Sequence, residues 1–206
     1  CLDSVMEQTY ADMEVLLMND GSTDGSLAIC REYEEKDLRF RTIDKENTGV
    51  SDTRNQAMLL ARGTYLQFLD SDDWLTPDAT ESLAEAARAD DCDLVVADFY
   101  RVNGKRYVEK KHIKKTYVMT REEFAMEMAE DPADFYYGVM WNKLYRKSIL
   151  LEHQIQCDTS MNWCEDFVLN LQMIRHAERF RALQKPIYYY MKRKGSLVST
   201  EAVSTE

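Results

Sequence analysis

The chain has 206 residues, 45% of them hydrophobic, with 26 Lys and Arg against 37 Asp and Glu and a formal net charge of −11. That apolar share is enough for a core and excludes general disorder, and the acidic balance excludes a long polyanion such as duplex DNA as partner for the whole molecule. Five cysteines without a CxxC pair suit reduced, buried thiols in a cytosolic protein. Cys157, Cys164 and His153 match no common zinc spacing. No apolar run approaches the ~18 residues that span a bilayer.

In chain order, "CLDSVMEQT" is helix-like, and "EVLLMND" is a continuous apolar run that suits a buried parallel strand. "SLAICREYEEK" has helical spacing with Leu27, Cys30 and Tyr33 as its inner stripe, and "RFRTID" alternates like a strand. "VSDTRNQAMLLARG" is helical, with Gly63 as its expected C-cap. "TYLQFLD" is a strand, Pro77 opens the helix "PDATESLAEAARA", and "DLVVADFY" is another strand. This rhythm predicts βαβ units, an α/β fold and a mostly parallel central sheet flanked by helices.

After about residue 100 the pattern changes. "YRVNGKRYVEKKHIKKTYVM" is a hairpin turned by Asn103-Gly104, and Thr120 with Glu123 forms a capping box for "REEFAMEMAE". "EDFVLNLQMIRHA" is an amphipathic helix whose apolar stripe is Phe167, Leu171 and Ile174, and "PIYYYM" is a late strand. No repeat or Pro/Gly-rich linker interrupts the chain, which argues for one continuous domain.

The densest chemistry lies in "YLQFLDSDDWLTPD", where a strand stops on Asp70, Asp72 and Asp73. Like charges this close call for a cation. In open α/β sheets ligands sit beyond the carboxyl ends of strands, and "MND" ends a second strand on Asp20. Clustered carboxylates suit Mg²⁺ or Mn²⁺, commonly held together with a substrate's phosphates, and the chain has no Gly-rich phosphate loop. An EF-hand starting at Asp20 fails because Arg31 stands where its closing glutamate belongs. An aspartyl-phosphate phosphatase is disfavoured by Trp74 after Asp73. The plain alternative is that Asp72 and Asp73 only cap the next helix.

Taken together, "CLDSVMEQTYADMEVLLMNDGSTDGS", "NTGVSDTRNQAMLLARGTYLQFLDSDDWLTPDA", "WNKLYRKSIL" and "EDFVLNLQMI" resemble the family 2 inverting glycosyltransferases of GT-A fold, in the family's order. The closest likeness is to bacterial enzymes of polysaccharide biosynthesis. The resemblance implies a nucleotide-sugar-binding part over residues 1–100 and an acceptor-side part over 101–206. It implies donor contacts from Asn19, Asp20, Arg54 and Asp70, with Asn55 beside Arg54, and Mn²⁺ or Mg²⁺ held by Asp72 with Asp73 sharing the load. It implies Asp166 as catalytic base, with Glu165 and Trp141 along the acceptor side near Asn142 and Lys143. The implied partners are a UDP-sugar and a glycan or lipid-linked acceptor, met in the cytoplasm or at the inner face of the membrane. Family members begin with an apolar strand that helps hold the nucleobase, and this chain starts after it, so an incomplete donor site is expected. A non-catalytic nucleotide-sugar-binding module is the rival function.

Two further expectations concern charge. A carboxylate at a helix N-terminus has a lowered pKa, so Asp166 should sit low. The basic stretches 104–115 and 191–196, with Lys192, Arg193 and Lys194, suit solvated surface, or anionic headgroups for the hairpin.

Overall fold

The computed structural model describes residues 1–132, 134–161 and 163–192; Arg193 and Lys194 lie outside them. The first part runs α1 (Leu2–Met6), β1 (Val15–Asp20), α2 (Ser26–Lys36), β2 (Phe40–Lys45), α3 (Val50–Leu60), β3 (Tyr65–Gln67), β4 (Trp74–Leu75) and α4 (Ala79–Ala89). The second runs β5 (Leu94–Asn103), β6 (Arg106–Lys110), α5 (Arg121–Glu130), α6 (Phe135–Gly138), β7 (Lys143–Arg146), α7 (Lys147–Glu152), α8 (Glu165–His176) and β8 (Phe180–Met191). None of the described helices is long and apolar enough to cross a membrane.

The pairing is more mixed than the βαβ rhythm suggests. β1 and β2 form a parallel two-stranded sheet, and a larger sheet has the order β3-β7-β5-β8-β4 with β6 on β5. There β5–β8 is parallel and β3–β7, β5–β7, β5–β6 and β4–β8 are antiparallel. The reason is local for β6: a two-residue turn at Gly104, φ +61°, leaves no room for a crossover. β5 is the spine. Its first residues, Leu94 to Ala97, are at most 1% exposed, between β7 on one side and β8 on the other. No described ladder joins β1 to β3.

Several boundaries moved for identifiable reasons. α3 ends at Leu60 rather than at Gly63, because Ala61 is extended (φ −64°, ψ 142°) and Arg62 N–H donates to the Glu14 carboxylate. Pro77 precedes α4 instead of opening it, with Asp78 at the N-cap. The capping box forms as expected, Thr120 Oγ1 accepting from Glu123 N at 3.3 Å and Glu123 Oε2 from Thr120 N at 2.9 Å. α8 turns Leu169, Asn170, Met173 and Ile174 inward, and Leu171 is 41% exposed. The inner stripe of that helix therefore carries an asparagine, which an apolar count cannot see.

Asp98 is an anomaly in this core. It is 1% exposed, and neither carboxyl oxygen has a hydrogen-bond partner among the described residues. It sits at a β-bulge opposite Pro186, which has no N–H to offer. Burial, reinforced by Glu109 and opposed by Lys111, pushes its pKa to about 7. A raised carboxyl pKa means the unfolded chain loses this proton first, so stability falls as pH rises from the ordinary carboxylate range to about 7. Asp98→Asn should therefore come close to the parent near pH 4 and exceed it by roughly 4 kcal/mol at pH 8, read from urea unfolding at both pH values.

Candidate functional site

Three segments remote in sequence meet at the Arg54 guanidinium. α3 delivers Arg54, the turn after β3 delivers Asp70, and the first turn of α8 delivers Glu165 and Asp166. Arg54 Nη1 donates to Asp166 Oδ1 and, at 3.1 Å, to Glu165 Oε1; Nη2 donates to Asp70 Oδ1 at 3.3 Å. The Arg54 side chain is 15% exposed. Burial opposes its charge, but Asp166, Asp70 and Glu165 outweigh that and hold the guanidinium firmly protonated. A second tie stands beside it. Asn55 Nδ2 donates to Cys157 O and Asn55 Oδ1 accepts from Cys157 N, each at 2.8 Å, locking α3 to the segment before α8.

Asp166 does not follow the helix-terminus expectation of a low pKa. Burial pushes it up, Arg54 pulls it down, Glu165 and Asp70 push again, and it settles at about 6. Desolvation outweighs a helix dipole whose effect is modest for partly exposed ends. Its second oxygen accepts from Met140 N–H at 3.3 Å.

That N–H is aimed by a buried polar frame behind the site. Asn170 Nδ2 donates to the carbonyls of Tyr137, Gly138 and Val139 at 3.0, 2.8 and 3.1 Å. Lys143, 0% exposed, donates to Tyr136 O at 2.9 Å, Val139 O at 2.6 Å and Asn142 Oδ1 at 2.8 Å. Three acceptors match the three N–H bonds of an ammonium. Burial pulls the Lys143 pKa down to about 7 while Asp166 and Asp134 push back. Sequence reasoning placed Asn142 and Lys143 on the acceptor side and missed Asn170. The signal available for Asn170 was a polar residue at an inward helical position.

The other anticipated residues divide. Asp20 closes β1 and grips the next loop, accepting from Lys45 Nζ, Thr48 N at 2.9 Å and Gly49 N at 3.0 Å. Burial works against its charge, but these donors hold its pKa below the usual range. Asn19 is 4% exposed and donates to Asp44 at 2.7 Å, a β1–β2 brace. Asp70 is pushed up by burial against the pull of Arg54, with the Asp72 charge adding to the rise. Asp73, anticipated as a metal ligand, turns inward at 1% exposure; Tyr188 Oη donates to it at 2.8 Å and Met191 N at 2.7 Å. Burial lifts its pKa to about 7. Trp141, anticipated along the acceptor side, is 3% exposed, stacked 4.2 Å from Tyr188 and edge-on to Phe99 at 4.8 Å. It supports the site from behind.

The turn suits a hard divalent cation. Asp70 and Asp72 offer oxygen donors, and each negative charge raises the cost of the next, which a cation would relieve. The described residues contain no group of three or more His, Cys, Asp or Glu able to hold a metal alone. The donor set therefore fits an ion shared with a ligand's phosphates.

An α/β sheet with an acidic turn beyond one strand and an enclosed carboxylate joined to it through Arg54 places a polar site where such folds bind ligands. Glycosyl transferase family 2 describes residues 1–153, and the chain belongs to that family. It is 32% identical to the uncharacterized glycosyltransferase EpsJ of Bacillus subtilis, over 96% of this chain and 58% of that protein. It is 34% identical to glycosyltransferase GlyA of Streptococcus pneumoniae, over 96% of this chain and 29% of that protein. The structure of S. aureus TarS 1–349 in complex with UDP-GlcNAc matches with a TM-score of 0.81 and 26% identity, over 97% of this chain and 56% of that one. The fold is the GT-A architecture that the resemblance implied. The chain spans little more than half the length of EpsJ and of TarS 1–349.

The Arg54 junction makes a separable demand on stability. Arg54→Met keeps the side chain's bulk and strips the shared counter-charge from three carboxylates. The variant should be less stable by roughly 3 kcal/mol at pH 7. The deficit should shrink as pH falls toward about 6, because without Arg54 the Asp166 carboxyl takes up its proton at higher pH than in the parent. Urea midpoints at pH 7 and pH 5 read both parts.

Proposed function

We propose that this domain transfers a glycosyl group from a UDP-sugar to a hydroxyl of a glycan or lipid-linked acceptor, with inversion at the anomeric carbon. The observation that carries the reading is the Arg54 junction, which brings the acidic turn and the Asp166 carboxylate to one place. The donor class is supported by the structures of TarS, which hold UDP and UDP-GlcNAc. Residues 1–100 would bind the donor and residues 101–206 the acceptor, with Asp20 on the nucleoside side and Glu165 beside the acceptor. The setting would be cytoplasmic, peripheral to the membrane where the acceptor is lipid-linked.

The chemistry follows from the residues. At a pKa of about 6, Asp166 is mostly ionised at neutral pH and basic enough to take a hydroxyl proton. Arg54 and Met140 N–H each hold one of its oxygens, so its orientation is set before the acceptor arrives. The acceptor oxygen gives its proton to Asp166 and bonds to the anomeric carbon from the face opposite the diphosphate. The carbon–oxygen bond to the diphosphate breaks, and the pair of electrons leaves with that group. A Mn²⁺ or Mg²⁺ held by Asp72, with Asp70 beside it, would supply positive charge for the diphosphate. Arg54, 3.3 Å from Asp70, contributes a fixed positive charge beside the acidic turn.

Three measurements test the roles. Asp166→Asn should lower turnover by about 10² to 10⁴ while the Kd for UDP-sugar stays nearly constant. The parent's turnover should fall tenfold per pH unit below about 6 as the base is protonated. Full turnover in the variant would move the base elsewhere, with Glu165 next to try. Separately, Asp72→Asn should abolish the Mn²⁺-dependent part of UDP binding in calorimetry with the melting temperature kept.

A further inference from the structure

The β5–β6 hairpin and α6 enclose a cavity lined by Phe99, Arg101, Lys110, Lys111, Phe135 and Tyr136. Asp134 completes the wall and leaves one negative charge there against the cations, its carboxylate turned toward the backbone and His112. It accepts from Tyr136 N at 2.6 Å and lies 3.6 Å from His112 Nδ1. Lys111 is paired with Glu109 at 2.9 Å. The Arg101 and Lys110 side chains are exposed and make no hydrogen bond or ion pair with a described residue. Two uncommitted cations thus face one recess in a chain of net charge −11.

The cavity is linked through β8 to the acidic turn. Arg101 is the register partner of Tyr190 in the β5–β8 ladder. The Tyr190 ring packs 5.1 Å from Phe135 of the cavity wall, and the next residue, Met191, donates its N–H to Asp73. The Tyr190 phenol accordingly senses Arg101 and the carboxylates of Asp73, Asp72 and Asp70 together. One strand residue separates the cavity from the acidic turn.

We propose that this cavity is an acceptor subsite for a phosphodiester, carried by an acceptor chain of sugar- or polyol-phosphate units. Arg101 offers a planar fork that matches phosphate oxygens, and Lys110 adds a compact charge. Phe99 and Phe135 supply apolar walls against which the carbon skeleton of the ligand would rest. A recess between strands and a helix turn takes one group at a time, whereas a bilayer surface asks for a flat basic face. The assignment rests on the glycosyl-transfer reading above.

The test measures a fluorescent glycerol-phosphate hexamer binding to the parent, to Arg101→Gln/Lys110→Gln, and to Lys105→Gln/Arg106→Gln at the hairpin tip outside the cavity lining. The cavity variant should lose about tenfold or more in affinity. The tip variant should stay within about twofold, because exposed charges outside the cavity are screened. UDP affinity with Mn²⁺ and melting temperature should hold in both. Equal loss in both variants, no loss in the cavity variant, or no hexamer binding by the parent would overturn the subsite. So would binding to phosphatidylglycerol vesicles without binding to the hexamer, which would make the hairpin a membrane surface. Failure of UDP to bind the parent would instead sink the glycosyl-transfer reading, and hexamer loss confined to the cavity variant would still mark an anion site.

Discussion

A single guanidinium organises the site. Arg54 meets carboxylates from two distant segments, and those of Glu165 and Asp166, largely enclosed, would each alone carry a severe desolvation penalty, while Asp70 is partly exposed. The arrangement works because the partners are unequal in supply: one permanent cation faces Asp70, Glu165 and Asp166. Burial first, and then the surplus of negative charge from Glu165 and Asp70, keeps Asp166 near 6 instead of near its ordinary value. An ion pair with balanced charges would have produced a weak base. Here the same contact that anchors the helix leaves Asp166, in its first turn, able to take a proton.

The frame behind Asp166 uses a complementary device. Its loop exposes successive carbonyls, and Asn170 and Lys143 collect them from the interior side. Backbone groups buried without partners are costly, so this loop has little freedom to move while those donors stay in place. Rigidity at Met140 passes to the oxygen it holds. The Asn55–Cys157 pair does similar service on the opposite flank.

Periodicity and turn chemistry made much of the fold legible. The run "EVLLMND", the Asn103-Gly104 turn and the Thr120–Glu123 box all became the elements expected. Short elements were not legible: β7 and α6 come from "WNKLYR" and "FYYG", whose residues are inward for tertiary reasons. The acidic turn was visible as a cluster, but its division of labour was not. Asp72 and Asp73 are adjacent and identical in type, yet one is enclosed by Tyr188 and Met191 because β8 crosses there, a non-local fact. Trp141 likewise carries no local mark that distinguishes a stacked core ring from an acceptor platform.

The seat of Lys143 also sets how the site meets its solvent. A side-chain nitrogen wholly enclosed by oxygen acceptors has no contact with bulk ions, and whatever charge it carries, with its pKa drawn down to about 7, reaches Asp166 through protein alone. Mobile salt screens exposed charges beyond a Debye length of ~10 Å at 0.1 M, but it acts far less on buried ones. The proton affinity of Asp166 is thus governed by charges that ionic strength hardly touches, while the hairpin cations stand in the electrolyte. Salt would act on what approaches the domain and leave its acid–base chemistry nearly unaltered.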